Sequence, residues 1–490
     1  MVCKTGGSRR RYFVCFTVLA VCLLAGSGTA QQGSLSPVGT ASVTVSSPLQ
    51  TLNSSDPLFG SVPEGKLDPN PIQLTILEAL DRGLRHNLGL LLAGQSTRVA
   101  AGQRSTSLSH LLPDVAVALQ EEVAQLNLTV EGFPARLSPT GNAILGPFTI
   151  FAVGPTMNES LNLKDFNTWK AARENFKAAG LSYRATRDLV VLVVGAAYLQ
   201  AQTDAARVDS VQAQVQTAQA LYDQARDMQR VGVVPGIDVL RAQVELEAEQ
   251  QRLVVAQNDW EKQLLTLARL IGLPSGQKFV LVDKIPAPAP LELSLEQALQ
   301  EAYANRPDYQ RAQSQLRSAE LLKRAAQGEN LPSLDIYGNY PVTGNTPGHS
   351  HGTFTAGGSL EIPVFQGGKV RGDVLQADAR LQQVRSELDD LRARIEYEVR
   401  TAFLDLNAAG KQLAVATSAL ALAREQVGQS RDRFAYGVTN NVEVVQAQQA
   451  QATAEENYIA GLFAENFAKL SLARALGVAE EATKKFLGGK

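Results

Sequence analysis

Few side chains in this 490-residue sequence could do chemistry. Four histidines stand at 86, 110, 349 and 351, with no Ser-His-Asp spacing, phosphate-binding loop or zinc signature around them. His349-Ser350-His351, beside Pro347 and Gly348, reads as a solvated loop rather than a metal pair. The three cysteines, 3, 15 and 22, all lie near the start. The rest of the chain therefore offers no disulfide, thiolate metal site or thiol nucleophile. The expectation is a protein that is not an enzyme and holds no cofactor or metal. The acids that stand out sit beside two glycine-containing breaks: Asp223 and Asp227 before Gly232, Glu425 and Asp432 before Gly437. What they could do depends on the elements that carry them.

Periodicity defines those elements. Val399, Leu406, Leu413, Leu420, Val427 and Phe434 recur every seven residues, the seam of a coiled coil rather than of a globular amphipathic helix. Shifted back by 205 positions, the seam returns as Val194, Ala201, Val208, Val215 and Tyr222, failing only at Gln229. One long-helix unit is therefore present twice.

The chain opens on Arg9-Arg10-Arg11, an apolar run from Tyr12 to Gly26, and Gly28-Thr29-Ala30. This is the pattern of a signal peptide over 1–30, cleaved after Ala30. The run is short for a membrane anchor, and Val21 stands before Cys22 where a lipid-attachment motif needs a small residue. The leader holds four basic residues and no acid, so its removal takes the formal net charge from −2 to −6. That balance argues against nucleic acid as a partner. No later segment reads as a transmembrane helix; Leu189–Leu199 is about half the length required. A mature chain that spans a membrane must do so as a barrel.

Residues 31–70, rich in Ser, Pro, Gly and Thr, read as a flexible lead segment. A first repeat occupies 71–273. Leu74, Leu77, Leu80, Leu84, Leu88 and Leu91 predict one helix running to about His110. Alternation at Val115, Val117 and Leu119, at Leu126, Leu128 and Val130, and at Leu161 and Leu163 predicts a β-hairpin over 114–165. A long helix covers about 166–231, breaks around Gly232, and is followed by a helix from Asp238 to Leu270. A proline-rich connector, 274–292, leads to a second repeat at 293–480 with strands over 333–364, a turn at 343–352, a long helix over 368–436 and a last helix over 442–476. Residues 481–490 form a tail.

Placed end to end, the two shorter helices of a repeat reach roughly 105 Å and match the long one. Strands then sit at one end and breaks at the other. Four strands cannot close a barrel, for which about eight is the practical minimum, and an open sheet cannot sit in lipid. Two chains would supply eight strands and three would supply twelve. The arithmetic demands an oligomer without choosing between them.

Four stretches, at the right spacing, point to a family. Phe166-Asn167-Thr168-Trp169 opens the first long helix, and Ile362-Pro363-Val364-Phe365-Gln366-Gly367-Gly368 opens the second. The breaks are Val231-Gly232-Val233-Val234-Pro235-Gly236-Ile237-Asp238-Val239-Leu240 and Tyr436-Gly437-Val438-Thr439-Asn440-Asn441-Val442-Glu443-Val444-Val445. With the duplicated layout, the chain resembles the TolC-like outer-membrane efflux proteins along nearly all of residues 72–480. The resemblance implies an α+β membrane protein made of duplicated helix–β-hairpin–helix–helix units. It implies a homotrimer whose twelve-stranded β-barrel sits in outer-membrane lipid of a Gram-negative-type bacterium, continuous with a long periplasmic α-helical coiled-coil tunnel. It also implies an exit duct for efflux or type I secretion, docked at its tips to a periplasmic adaptor and, with it, an inner-membrane pump. The tips fall at Gly232, Val233, Val234 and Pro235 and at Gly437, Val438, Thr439 and Asn440. Pro235-Gly236 departs from the small or hydroxyl residue the family more often has there. The narrow lumen mouth falls near Asp223, Asp227, Glu425 and Asp432, where three copies of each would favour cations. The rival reading is a periplasmic coiled-coil adaptor or scaffold protein without a barrel. It would share the heptads but has no use for alternating strands between the helices.

Overall fold

The computed structural model describes residues 56–130, 132–134, 136, 141–283, 293–436, 438–439 and 441–486. The leader, residues 31–55 of the lead segment, residues 284–292 of the connector, Gly437 and Asn440 lie outside the described residues. Two long helices dominate: α3 (Leu163–Arg230, 68 residues) and α7 (Lys369–Ala435, 67 residues). At 1.5 Å per residue each is about 100 Å long. Each continues past a break into a 35-residue helix, α4 (Gly236–Leu270) and α8 (Asn441–Ala475). The part of α3 apolar and long enough to cross a membrane is 72% buried inside the protein, so its apolarity goes into the core.

Packing of α7 explains its sequence. Val399, Leu413, Leu420, Val427 and Phe434 are buried, and Leu406 is half-buried. A second buried line, Ala402, Ala409, Ala416, Ala423 and Ser430, alternates with the first at steps of three and four. Small residues there let the neighbouring helix approach closely. The alternation slips once, at Leu391, Ile395 and Val399, two successive steps of four. Such an insertion locally unwinds a left-handed supercoil. It falls where α7 changes partners, from α6 (Pro307–Gly328) on the strand side to α8 on the tip side. In α3, Val194, Ala201 and Val208 are buried, Val215 and Tyr222 half-buried, and Gln229 exposed.

The helix predicted to run unbroken from Leu74 to His110 is two helices, α1 (Ile76–His86) and α2 (Leu88–Ser109). Leucine periodicity runs through the joint, but Asn87 is extended and its Oδ1 accepts from the Leu90 amide at 3.3 Å, starting a new helix. The second repeat breaks at the same place, between α5 (Leu295–Asn305) and α6, because Pro307 forces Arg306 out of the helical region. Both repeats start with the same device, a capping box: Thr75 with Glu78 and Ser294 with Gln297. A two-stranded parallel pair, β1 (Ile72–Leu74) and β4 (Phe279–Leu281), ties the start of the first repeat to the connector. A last helix, α9 (Ala479–Phe486), follows α8 where a tail was expected.

The joint at Arg306 is an ion network. Arg306, 2% exposed, holds Asp308 at 3.0 and 2.6 Å and Glu398 at 2.7 Å, and Arg474 reaches the same Glu398 oxygen at 2.8 Å. Burial pushes the Asp308 carboxyl up, but the paired Arg306 outweighs it and leaves the group below its usual range. Asp188 on α3 faces a cavity of about 210 Å3 at this joint, without a bonded cation of its own among the described residues. Burial pushes its carboxyl up to about 6 against the pull of Arg474. At the equivalent joint of the first repeat Asn87 stands in the place of Arg306 and donates to the Leu58 carbonyl at 2.7 Å.

The remaining strands form one antiparallel sheet. β2 (Asp114–Asn127) pairs with β3 (Ile144–Leu161), β3 with β5 (Ser333–Asn339), and β5 with β8 (Thr355–Glu361). Beyond β5 the segment expected to be a turn carries two more short strands, β6 (Val342–Gly344) on β3 and β7 (Ser350–Gly352) on β6. Register sorts the residues onto two faces. Val115, Val117, Leu119, Val153, Met157, Leu161, Leu334, Ile336 and Leu360 share one; Gln120, Glu122, Thr156, Asn158, Asp335, Asn339, Ser359 and Glu361 share the other. Val117 and Leu119 are 75% and 70% exposed, so the apolar face is uncovered in the single chain. Glu121 and Glu159 interrupt it, Glu159 two residues before the strand ends at the helix side.

Candidate functional site at the helix tips and chain edges

Each long helix ends in the same reversal. The Gly232 amide donates to Gln229 O and the Val233 amide to Met228 O, both at 2.9 Å, and Gly232 has φ +79°. This is a Schellman cap, which places a residue in the left-handed region where glycine is favoured. In the second repeat the Val438 amide donates to Arg433 O at 2.8 Å, the corresponding bond. Just above the tips Leu221, Phe434 and Val444 pack together, so α3, α7 and α8 are locked close to their ends.

Among the tip residues named from the sequence, Val233 and Val438 are 66% and 67% exposed, Pro235 is exposed and caps α4, and Val234 is half-buried. Thr439 is half-buried and donates to Glu443, which also pairs with Arg433 at 3.3 Å. Gly437 and Asn440 lie outside the described residues. Asp238 is buried and held by Arg241 at 3.2 Å. The sequence reading passed over Val231 and Tyr436, 72% and 84% exposed, which widen the apolar tip. It also passed over a groove of about 410 Å3 between α4 and α8, lined by Ile237, Leu240, Val244, Val442 and Val445. The signal was there: 237, 240 and 244 have coiled-coil spacing on a helix whose other face already packs on α3.

The four acids do not gather within one chain. Asp223 accepts from Gln219 at 3.0 Å and lies 3.8 Å from Arg226; Asp227 pairs with Arg230 at 3.4 Å. Glu425 accepts from Gln429 at 3.2 Å, and Asp432 is exposed. Glu425 and Asp432 are seven residues apart and share one face of α7. His349 and His351 sit on the β6–β7 hairpin, His349 with its Nδ1 3.3 Å from the Thr346 hydroxyl. Among the described residues no group of three His, Cys, Asp or Glu side chains is placed to hold a metal.

Free edges are the second feature of the site. On the strand side the helices stand in the row α2–α3–α6–α7, and on the tip side in the row α4–α3–α8–α7. The sheet runs β2–β3–β5–β8. At every level one edge comes from the first repeat and the other from the second. The outer faces are apolar: Leu240, Val244 and Leu265 on α4 and Leu404, Val415 and Leu422 on α7 are each 59–70% exposed. A 14-residue strand such as β2, unpaired on one side among the described residues, is an open template for another chain.

Sheet, paired coils and helix-reversing tips together point to the class of outer-membrane channels. Residues 98–273 and 298–478 match the family model described as outer membrane efflux protein, and the chain belongs to that family. It is similar to the toluene efflux pump outer membrane protein TtgF of Pseudomonas putida, 24% identical over 386 residues covering 71% of this chain and 73% of that one. It is 22% identical to the outer membrane protein TolC of Escherichia coli over 357 residues, 67% and 70% of the two chains. In structure it is similar to the Campylobacter jejuni CmeC outer membrane channel, with a TM-score of 0.69, 18% identity, and 89% and 95% of the two chains covered. At that identity the structural likeness is one of fold.

Proposed function

We propose that this protein is the outer-membrane exit duct of a tripartite efflux or type I secretion system, passing substrates from pump and adaptor to the exterior. The observation that carries the reading is the set of matching free edges. β2 of one copy can pair with β8 of the next, α2 with α7 on the strand side, and α4 with α7 on the tip side. Every contact is heterologous, so copies close into a ring when the rotation allows. Three copies bring twelve strands, enough to enclose a channel, with the apolar face in lipid and the polar face toward water. Burying the sheet edge this way removes the backbone groups that lipid cannot satisfy.

The helices would continue the barrel as a periplasmic tunnel closed near its tips. Along α7 the face that carries Leu404, Val415 and Leu422 becomes polar at Glu425, Gln429 and Asp432. An edge face that turns polar there suits a water-filled mouth, where threefold copies of Glu425 and Asp432, with Asp223 and Asp227 nearby, would favour cations. The apolar tips, Val233 and Val438 with Val231 and Tyr436, stabilise nothing in an isolated tunnel. They suit end-on packing against a helical hairpin of a periplasmic adaptor. Heat-modified electrophoresis of membrane fractions tests the reading against a barrel-free scaffold. A duct partitions with the outer membrane and shifts mobility on heating; a scaffold appears in the soluble periplasmic fraction with unchanged mobility.

A further inference from the structure

Between the two returning helices, just above the apolar groove, lies a cavity of about 60 Å3. Its polar walls are Glu245 and Glu249 of α4, Gln448, Gln451 and Glu455 of α8, and Gln214 of α3. Glu455 is fully engaged. Ser210, Gln214 and Gln451 donate to it at 2.5, 3.3 and 3.0 Å, and Arg424 lies 3.4 Å away. The amide N–H groups of Gln214 and Gln451 are thereby turned away from the other acids.

Three acceptor oxygens remain, Glu245 Oε1, Glu249 Oε2 and Gln448 Oε1, each enclosed and met by no donor among the described residues. Glu249 is 4% exposed. Its other oxygen is held by Arg252 at 2.6 Å, and the other oxygen of Glu245 accepts from the Gln449 amide at 3.3 Å. Among the described residues Arg252 thus balances Glu249 and Arg424 balances Glu455, while Glu245 meets only a neutral donor. Three unpartnered acceptor oxygens on residues lining one small cavity, with a carboxylate that no cation balances among the described residues, call for a positive group. Oxygen-only ligands select a hard ion.

We propose that this cavity binds a divalent cation of the calcium or magnesium type through Glu245 Oε1, Glu249 Oε2 and Gln448 Oε1, and thereby ties α4 to α8. Two carboxylates and one amide oxygen fall short of the six to eight ligands calcium takes, so water completes the shell and the affinity is modest, about 10⁻⁴–10⁻³ M. The site is distinct from the acids near the lumen mouth, which lie on α3 and on the opposite long helix. Its consequence is mechanical. Across this gap the protein offers little besides the Gln449–Glu245 hydrogen bond, so the bound ion sets how firmly the two coils of one chain are joined above the tips.

The test uses the full-length protein in detergent, stripped with chelator and exchanged into chelator-free buffer. Calorimetric titration with calcium or magnesium chloride is expected to show one site per chain in the stated range. Glu245→Gln should weaken it about tenfold or more, whereas Glu247→Gln, an exposed acid on the same helix, should not. A second readout needs no ligand variant: spin labels on Val244→Cys and Val445→Cys, in a mature chain without other cysteines, should give a narrower distance distribution with calcium than with chelator. No saturable binding up to about 10 mM, equal affinity in Glu245→Gln, or a label distribution that ignores calcium would each overturn the proposal; the last two would mean that the acceptors hold only water or a proton.

Discussion

Asp188→Asn should stabilise the protein at pH 8 and leave it unchanged at pH 4. Asp188 sits among Arg306, Asp308, Arg311 and Arg474, with its carboxyl pushed by burial from 3.8 up to about 6. The folded chain therefore keeps a proton that the unfolded chain releases. For an acid whose folded pKa is raised, stability is highest below the unfolded value and falls as pH rises from about 4 to about 6. Above pH 6 the folded state carries the whole penalty. A shift of about two units corresponds to about 3 kcal/mol, and partial exposure makes about 1–3 kcal/mol the realistic range. Asparagine keeps the shape and removes the charge. Thermal unfolding followed by circular dichroism at a fixed scan rate should show a gain of a few degrees at pH 8 that vanishes at pH 4. A loss at pH 8 would mean that Asp188 is a net partner of Arg474. An equal gain at both pH values would mean that desolvation of the charge is not the cause.

Phe434→Ala removes the largest member of the cluster that joins α3, α7 and α8 above the tips. It should cost about 3–5 kcal/mol, visible as early proteolysis near the tips; unchanged protease resistance would deny that cluster its role. Gly437→Trp should leave oligomer assembly and membrane insertion intact yet abolish export, which a transport assay beside a membrane-fraction blot distinguishes. Thr439→Cys should cross-link to the adaptor in cells while Ser350→Cys on the β6–β7 hairpin should not; equal yields would remove the tips as the docking surface. In planar bilayers Glu425→Ala with Asp432→Ala should reduce cation selectivity, and unchanged reversal potentials would show that these acids do not border the lumen.

What was legible in the sequence followed from strong periods. The heptad of Val399 to Phe434 could be seen because large apolar residues mark every seventh position. Its companion line at Ala402, Ala409, Ala416 and Ala423 could not, since alanine is equally at home on an exposed helix face. The break at Asn87 was hidden because leucines stay in phase across it, and only the cap reveals it. Three-residue strands such as β1 and β4 are below what alternation can detect, and they exist because a tertiary contact pairs them. The tips were readable from glycine and helix-stop chemistry. The α4–α8 groove and the acceptor cavity were not, because they depend on which faces of two distant helices meet, and no local pattern records that.

The central claim is that the edges of one chain join those of the next and that the ring closes at three. Cysteine pairs test it most directly: Ala116 or Ala118 on β2 with Gly357 or Ser359 on β8, all on the polar face and at opposite edges of the sheet. The two edges cannot reach each other within one chain, so every disulfide formed in the membrane must join copies. Denaturing, non-reducing electrophoresis should show a ladder that stops at three chains, with the third band converting to a circular species. Monomer alone, closure at two, or a ladder running past three would contradict the account.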